Sequence, residues 1–194
     1  MLMSEYERAD AAADASAIGR FQVIPAAYVL LLRPGGSGGA EADPASPNTS
    51  SYLTSEIYEH PADEVLLQLR RGTGYYDEHW ASGAAGHVEA GESVFAAAAR
   101  EAREELGVEI DSGALHPLTA MHRTHANGKA IDERVDFFFA CREWQGTPEL
   151  QEAKAAELAW FPLDALPKPI VPHELYVLEK LRAGTLATTV AFGF

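Results

Sequence analysis

The chain has 194 residues, 47% hydrophobic and 23% charged, enough apolar side chain for one packed domain and too much for a globally disordered one. Fifteen Lys and Arg against 29 Asp and Glu give a formal net charge of −14, which argues against binding nucleic acid or anionic membrane through basic patches. The single cysteine, Cys141, cannot form an internal disulfide and fits a reducing compartment.

Residues 1–20 are acidic and alanine-rich, lack the apolar core of a signal peptide, and read as an N-terminal extension. No apolar run reaches the length of a membrane span, so a soluble, cytoplasmic protein is expected. Residues 21–33 are largely apolar and predict a buried strand. The stretch 34–51 is rich in Gly, Ser, Pro and Asn without hydrophobic periodicity and reads as a mobile loop insertion. A second strand is expected at 64–71. It ends in Arg71 and is followed by Gly72, Thr73, Gly74, Tyr75 and Tyr76, so that cation, glycine and aromatic stand together.

A helix is expected at 94–106, with Ser93 as its N-cap and Gly107 past its end. Strands follow at 115–123, 134–144 and 157–161, then a helix at 172–183 with Leu175, Leu178 and Leu181 near one face. His122 and His125, at the end of one strand, read as surface or satisfied histidines rather than bases. This order predicts an α/β domain over 21–183 with a mixed sheet and packed helices. Residues 184–194 are left as a tail, whose alternating Val190, Phe192 and Phe194 either pad the core or form a subunit contact in a homodimer.

The helix at 94–106 carries Glu101, Glu104 and Glu105 at i, i+3 and i+4, where like charges repel by roughly 0.2 to 0.5 kcal/mol per pair. Folding alone gains nothing from that placement. A hard divalent cation removes the repulsion, and Mg²⁺ in particular is held by a few carboxylates plus substrate phosphates. Around these glutamates stand Gly86, Glu92, Arg100, Gly107 and Val108, spaced as Gly-x5-Glu-x7-Arg-Glu-U-x-Glu-Glu-x-Gly-U with U apolar. The segment resembles the signature of the Nudix hydrolases at every fixed position. A solvated Glu-rich helix has no reason to carry both glycines and Glu92 at these spacings.

The resemblance implies an α/β/α sandwich with a mixed β-sheet and a Mg²⁺ or Mn²⁺ cofactor held by Glu101, Glu104 and Glu105, with the Gly86 carbonyl as a further ligand. Water then attacks a phosphorus of a pyrophosphate. Arg100 and Glu92 hold the loop to the helix. A glutamate from the loop after the fourth strand completes the metal and catalytic set; Glu152 is preferred, with Glu149 and Glu157 as alternatives. Arg71 and Tyr76 are the candidate substrate contacts, by phosphate pairing and base stacking. Where many relatives read Leu-Pro-Gly-Gly, this chain has Ser82-Gly83-Ala84-Ala85-Gly86, so the turn entering the signature is expected to differ.

Downstream, Arg123 to His125 stand where dinucleoside polyphosphate hydrolases carry a tyrosine and ADP-ribose hydrolases a proline. A small-molecule nucleotide, a (deoxy)nucleoside triphosphate first, is the substrate that remains. Two alternatives stay open. One is a non-hydrolytic ligand-sensing module, although such modules commonly lose a signature glutamate and none is lost here. The other is an isoprenoid diphosphate isomerase, which shares the Ala84-Ala85-Gly86-His87 lead but wants a cysteine in the pocket, whereas Cys141 falls on a strand.

Overall fold

In the computed structural model, which describes residues 21–35 and 63–194, the first apolar run forms β1 (Ile24–Pro34). The extension 1–20, and the proposed insertion beyond Gly35, lie outside the described residues. The chain continues through β2 (Asp63–Arg70), β3 (Trp80–Ser82), β4 (Ala84–His87), α1 (Val94–Leu106), β5 (Leu115–Arg123), β6 (Arg134–Cys141), β7 (Ala155–Pro162), α2 (Pro172–Arg182) and β8 (Thr189–Phe192). The helix over 94–106 and the strand over 115–123 stand where the sequence puts them.

Residues Ala26 to Leu32 are buried without alternation because both faces of β1 are covered. Ala26, Tyr28, Leu30 and Leu32 pack with Val177, Leu178 and Leu181 of α2. Ala27, Val29 and Leu31 pack with Ala97, Ala98, Ala102 and Leu106 of α1. The result is the expected mixed sheet between helices. β1 runs parallel to β6 and antiparallel to β2 and β4, β5 pairs antiparallel with β6, and β2 pairs antiparallel with β3 and β7.

Three strands were not anticipated. β3 and β4 have 3 and 4 residues, too few for a period to show, and Gly83 between them passes the chain from β2 to β1. The third, β8, lies parallel to β5. Within the tail, Val190 and Phe192 pack against the α2-side core while Phe194 is 75% exposed, so the first two pad the core. No helix among the described residues is long and apolar enough to cross a membrane.

One divergence positions the site. β1 pairs with β2 only from Leu32 to Pro34, and from Ala26 to Val29 its neighbour is β4. Beyond the fork, β2 turns to β3 at Leu67 to Leu69. A cleft of about 350 Å³ is bounded by residues of all four strands, including Tyr28, Gln68, Ala81 and Ala85.

Candidate active site

The carboxylates are set by the helix that carries them. Ser93 Oγ accepts from the Ala96 N–H at 3.1 Å at one end of α1. At the other end Gly107 takes a left-handed φ of 69°, its N–H directed at the carbonyls of the last turn. The buried face of α1 is Ala97, Ala98, Ala102 and Leu106. Three alanines among four buried residues let the helix lie close to β4 and β1, and this brings the glutamates onto the backbone of β4. Glu105 Oε2 accepts from the Ala85 N–H at 2.9 Å. Gly86 lies against Glu101 so closely that a Cβ there would stand 2.0 Å from Glu101 Oε1. Gly86 belongs to a strand rather than to the turn that the sequence suggested; its missing side chain makes room for a carboxylate.

Arg100 ties the cluster together. Its Nε and Nη2 donate to the two oxygens of Glu92 at 2.9 and 3.0 Å, and Nη2 also reaches the His87 carbonyl at 3.0 Å. Nη1 donates to Glu101 Oε1 at 2.7 Å and Glu104 Oε2 at 3.1 Å. The Glu92 bond, followed by the other carboxylates, raises the Arg100 pKa, while Arg100 holds Glu92 below the ordinary carboxylate range. Burial pushes Glu105 up to about 7, helped by the charges of Glu101 and Glu152 and opposed by the Ala85 N–H. Burial raises Glu101 as well, against the pull of Arg100.

The loop after β6 is sewn to the end of α1: the Glu149 N–H donates to the Leu106 carbonyl and the Gln151 N–H to the Glu105 carbonyl, each at 3.0 Å. Glu152 thereby comes within electrostatic reach of Glu101 and Glu105, and its carboxylate lies 2.8 Å from Lys154 Nζ. Glu149 and Glu157 are both exposed.

The cleft opens beside this cluster, with Ala85 and Gly86 in its lining. Of the segment at the end of β2, Arg70 and Tyr75 border the cleft, whereas Arg71 and Tyr76, the expected contacts, do not. Arg71 pairs with Glu78 at 3.2 Å, both side chains more than 60% exposed at 61% and 64%. Tyr76, at a φ of 47°, rests its ring edge-on against Tyr75 and His79. β2 ends at Arg70, so Arg71 already belongs to the loop that follows, where it is exposed. Asp77 closes the following loop onto itself by accepting from the N–H groups of Thr73 and Gly74.

Residues 57–181 match the NUDIX domain family. The chain belongs to that family. It is 28% identical over 144 residues to the human 8-oxo-dGDP phosphatase NUDT18, covering 68% of this chain and 38% of that protein. It is 31% identical over 144 residues to isopentenyl-diphosphate Delta-isomerase of Leifsonia xyli, covering 70% and 77%. In structure it resembles a MutT Nudix hydrolase from Burkholderia pseudomallei, with a TM-score of 0.59, 24% identity and coverage of 81% and 97%. The Nudix domain of Shewanella oneidensis NrtR, solved with ADP ribose, also gives 0.59, at 15% identity and coverage of 94% and 99%. These structural likenesses bear on the fold.

Several cleft residues of this Nudix domain lay beyond the sequence reading. Asp136 is fully buried and takes Arg123 Nε at 2.6 Å and Arg134 Nε at 3.3 Å, so that both guanidiniums border the cleft on one shared carboxylate. The signal available was a pair of charges, Arg134 and Asp136, on one face of an apolar strand. Glu174 of α2, buried, accepts from the Ser82 N–H and hydroxyl, a contact between residues too distant in sequence for any local pattern. His125 touches Arg123 at 3.1 Å, and His122 lies between the rings of Phe21 and Phe194; neither borders the cleft.

The donor set suits a hard divalent ion. Glu101, Glu104, Glu105, Glu152 and the Gly86 carbonyl offer only oxygen. Among the described residues no three acidic, imidazole or thiol groups converge on one point, because Arg100 lies between Glu101 and Glu104 and Lys154 holds Glu152. Arg100 and Lys154 thus offset part of the negative charge of the cluster.

Proposed function

We propose that this Nudix domain is a divalent-metal-dependent hydrolase of a pyrophosphate bond in a nucleoside diphosphate-linked substrate, a (deoxy)nucleoside triphosphate first. One observation carries the reading: Ala85 and Gly86 line the cleft and also touch Glu105 and Glu101, so a group seated in the cleft abuts the carboxylates. Glu101, Glu104, Glu105 and Glu152 would hold Mg²⁺ or Mn²⁺, with the Gly86 carbonyl beside them. When bound, the ion neutralises the pyrophosphate charge and activates water. Arg100 keeps the loop at Glu92 and His87 fixed against α1. Arg70, Arg123 and Arg134 bring positive charge to a cleft in an otherwise acidic chain, which favours a phosphorylated occupant.

A panel of nucleoside di- and triphosphates, including 8-oxo-dGDP, assayed for phosphate and pyrophosphate release with Mg²⁺ or Mn²⁺, tests the reading. Absence of hydrolysis across the panel would overturn it. The likeness to the isomerase of Leifsonia xyli favours a second reading, an isoprenoid diphosphate isomerase. Against it, Cys141 is fully buried, donates its thiol to the Glu143 carbonyl and stands outside the cleft. Incubation with isopentenyl diphosphate separates the two.

A further inference from the structure

Asp136 carries one charge and answers two. It is fully buried on β6, and Arg123 of β5 and Arg134 of β6 each spend Nε on it, with side chains only 3% and 13% exposed. The register puts all three on one face, since Arg123 stands opposite Arg134, and Asp136 opposite Met121 of the α2-side core. One arginine neutralises the carboxylate, so the second leaves a positive charge largely out of water, which folding does not reward. The other groups facing the pair supply no anion. Burial raises the pKa of the Tyr28 phenol on β1 and lowers that of His173 on α2, so both are neutral. Tyr75 and His125 meet Arg123 Nη1 through a phenol oxygen and a ring nitrogen at 3.3 and 3.1 Å. The further carboxylates that line the cleft are engaged elsewhere, Glu174 with Ser82 and Asp132 with Asn127.

Both arginines line the cleft, where Arg123 Nη2 and the two Nη nitrogens of Arg134 make no hydrogen bond among the described residues. Two adjacent guanidinium forks suit a phosphate dianion. This seat stands apart from the glutamates. Ala26 of β1 pairs with His87 of β4 on one side and with Asp136 on the other, so two strand spacings, about 10 Å, separate the Asp136 backbone from that of β4. The faces differ too: Gly86 lies opposite Ala27 of the α1-side core and meets Glu101, whereas Asp136 is on the α2 side. A pyrophosphate held at the glutamates does not span that distance, but a nucleotide does. We infer that Arg123 and Arg134 bind a phosphate separate from the scissile pyrophosphate, a monoester on the ribose of the half seated in the cleft. The ligand class is a pyrophosphate-linked nucleotide with a 2′- or 3′-phosphate. This rests on the hydrolase reading above and narrows its substrate, because among nucleoside diphosphate derivatives the pair selects those with a ribose phosphate.

The test is calorimetric binding, with Mg²⁺ present, of adenosine and guanosine 2′,5′- and 3′,5′-bisphosphates, each against its own 5′-monophosphate; none has a pyrophosphate to hydrolyse. One of the bisphosphates is expected to bind about ten-fold or more tightly than its monophosphate, and Arg134→Met, which keeps the Arg123–Asp136 pair, to bring that ratio below about three. Arg134→Lys should give an intermediate ratio, because it retains the charge without the fork. The Tm of Arg134→Met should hold or rise, since the surplus charge is gone. Absence of a bisphosphate preference in the unmodified protein overturns the inference, and so does a preference that survives Arg134→Met. Weaker binding of both members at an unchanged ratio overturns it as well, by putting Arg134 on the 5′-phosphate. If Arg134→Met does not fold, Arg134→Lys decides, and an unchanged ratio there overturns the inference. The nucleotide panel above judges the hydrolase reading by itself: selective binding without any hydrolysis refutes that reading and leaves the phosphate seat standing.

Discussion

Gly86 has no room for a side chain, and the obstacle is a carboxylate rather than backbone. Gly86→Ala places a Cβ within 2.0 Å of Glu101 Oε1. The far end of a glutamate swings aside easily, so the fold should survive with a Tm within a few degrees, while Glu101 leaves the cluster. Turnover with saturating Mg²⁺ should fall by about 100-fold or more; activity near that of the unmodified protein would remove Glu101 from the metal set. Glu105 carries a pH signature. Its folded pKa of about 7 stands above the 4.5 of an unperturbed glutamate, so between these values the folded state holds a proton that the unfolded state releases. Its stabilising contribution is full below about pH 4.5 and is lost as pH rises through 7, on the order of 3 kcal/mol in all. Chelator-treated protein should therefore melt lower at pH 8 than at pH 5, and Glu105→Gln should flatten the difference. At this scale the signature was legible because helical spacing fixes which glutamates share a face. The choice between Arg70 and Arg71 was not, since it depends on where β2 ends and on the left-handed residues Tyr76 and Glu78 beyond it.

At the scale of elements, α1 was readable to the residue because both its ends are chemically marked, by Ser93 and Gly107. β3, β4 and β8 carry no such marks and exist through their partners. β8 follows a strand edge that only the folded sheet supplies: the Ala120 N–H donates to the Thr188 carbonyl at 3.0 Å and the Thr124 N–H to the Phe192 carbonyl at 3.1 Å. Truncation after Gly184 removes buried Leu186 together with Val190 and Phe192, apolar burial worth on the order of 3 to 5 kcal/mol. A Tm lower by roughly 10 °C or more is expected. Activity well below that Tm should persist, since β8 pairs with β5 while the carboxylates stand on α1 against β4. An unchanged melting curve would show that the tail contributes nothing to the core.

For the molecule as a whole, the connection between β1 and β2 can be shortened. Pro34 and Asp63 face each other across the antiparallel pair, so the ends of the intervening segment are already adjacent. A short loop spans such a gap, and each halving of a flexible loop saves only about 0.6 kcal/mol. Replacing residues 36–50 by a few glycines and serines should leave kcat unchanged and Tm equal or slightly higher. A large rise in KM, with circular dichroism intact, would instead place that segment over the substrate.

The double burial of β1 bears on how the protein opens. Its odd and even residues belong to two different apolar clusters, which makes this strand the common wall of two rooms. Neither cluster can come apart while the wall stands, and the wall cannot leave without emptying both, so the two cores melt as one cooperative unit. The backbone amides of Ala27 to Leu31 should then exchange with deuterium only through global opening, with the slowest rates in the chain and a dependence on denaturant equal to that of complete unfolding. Faster exchange on the α1 side than on the α2 side of the sheet would reveal two separable cores.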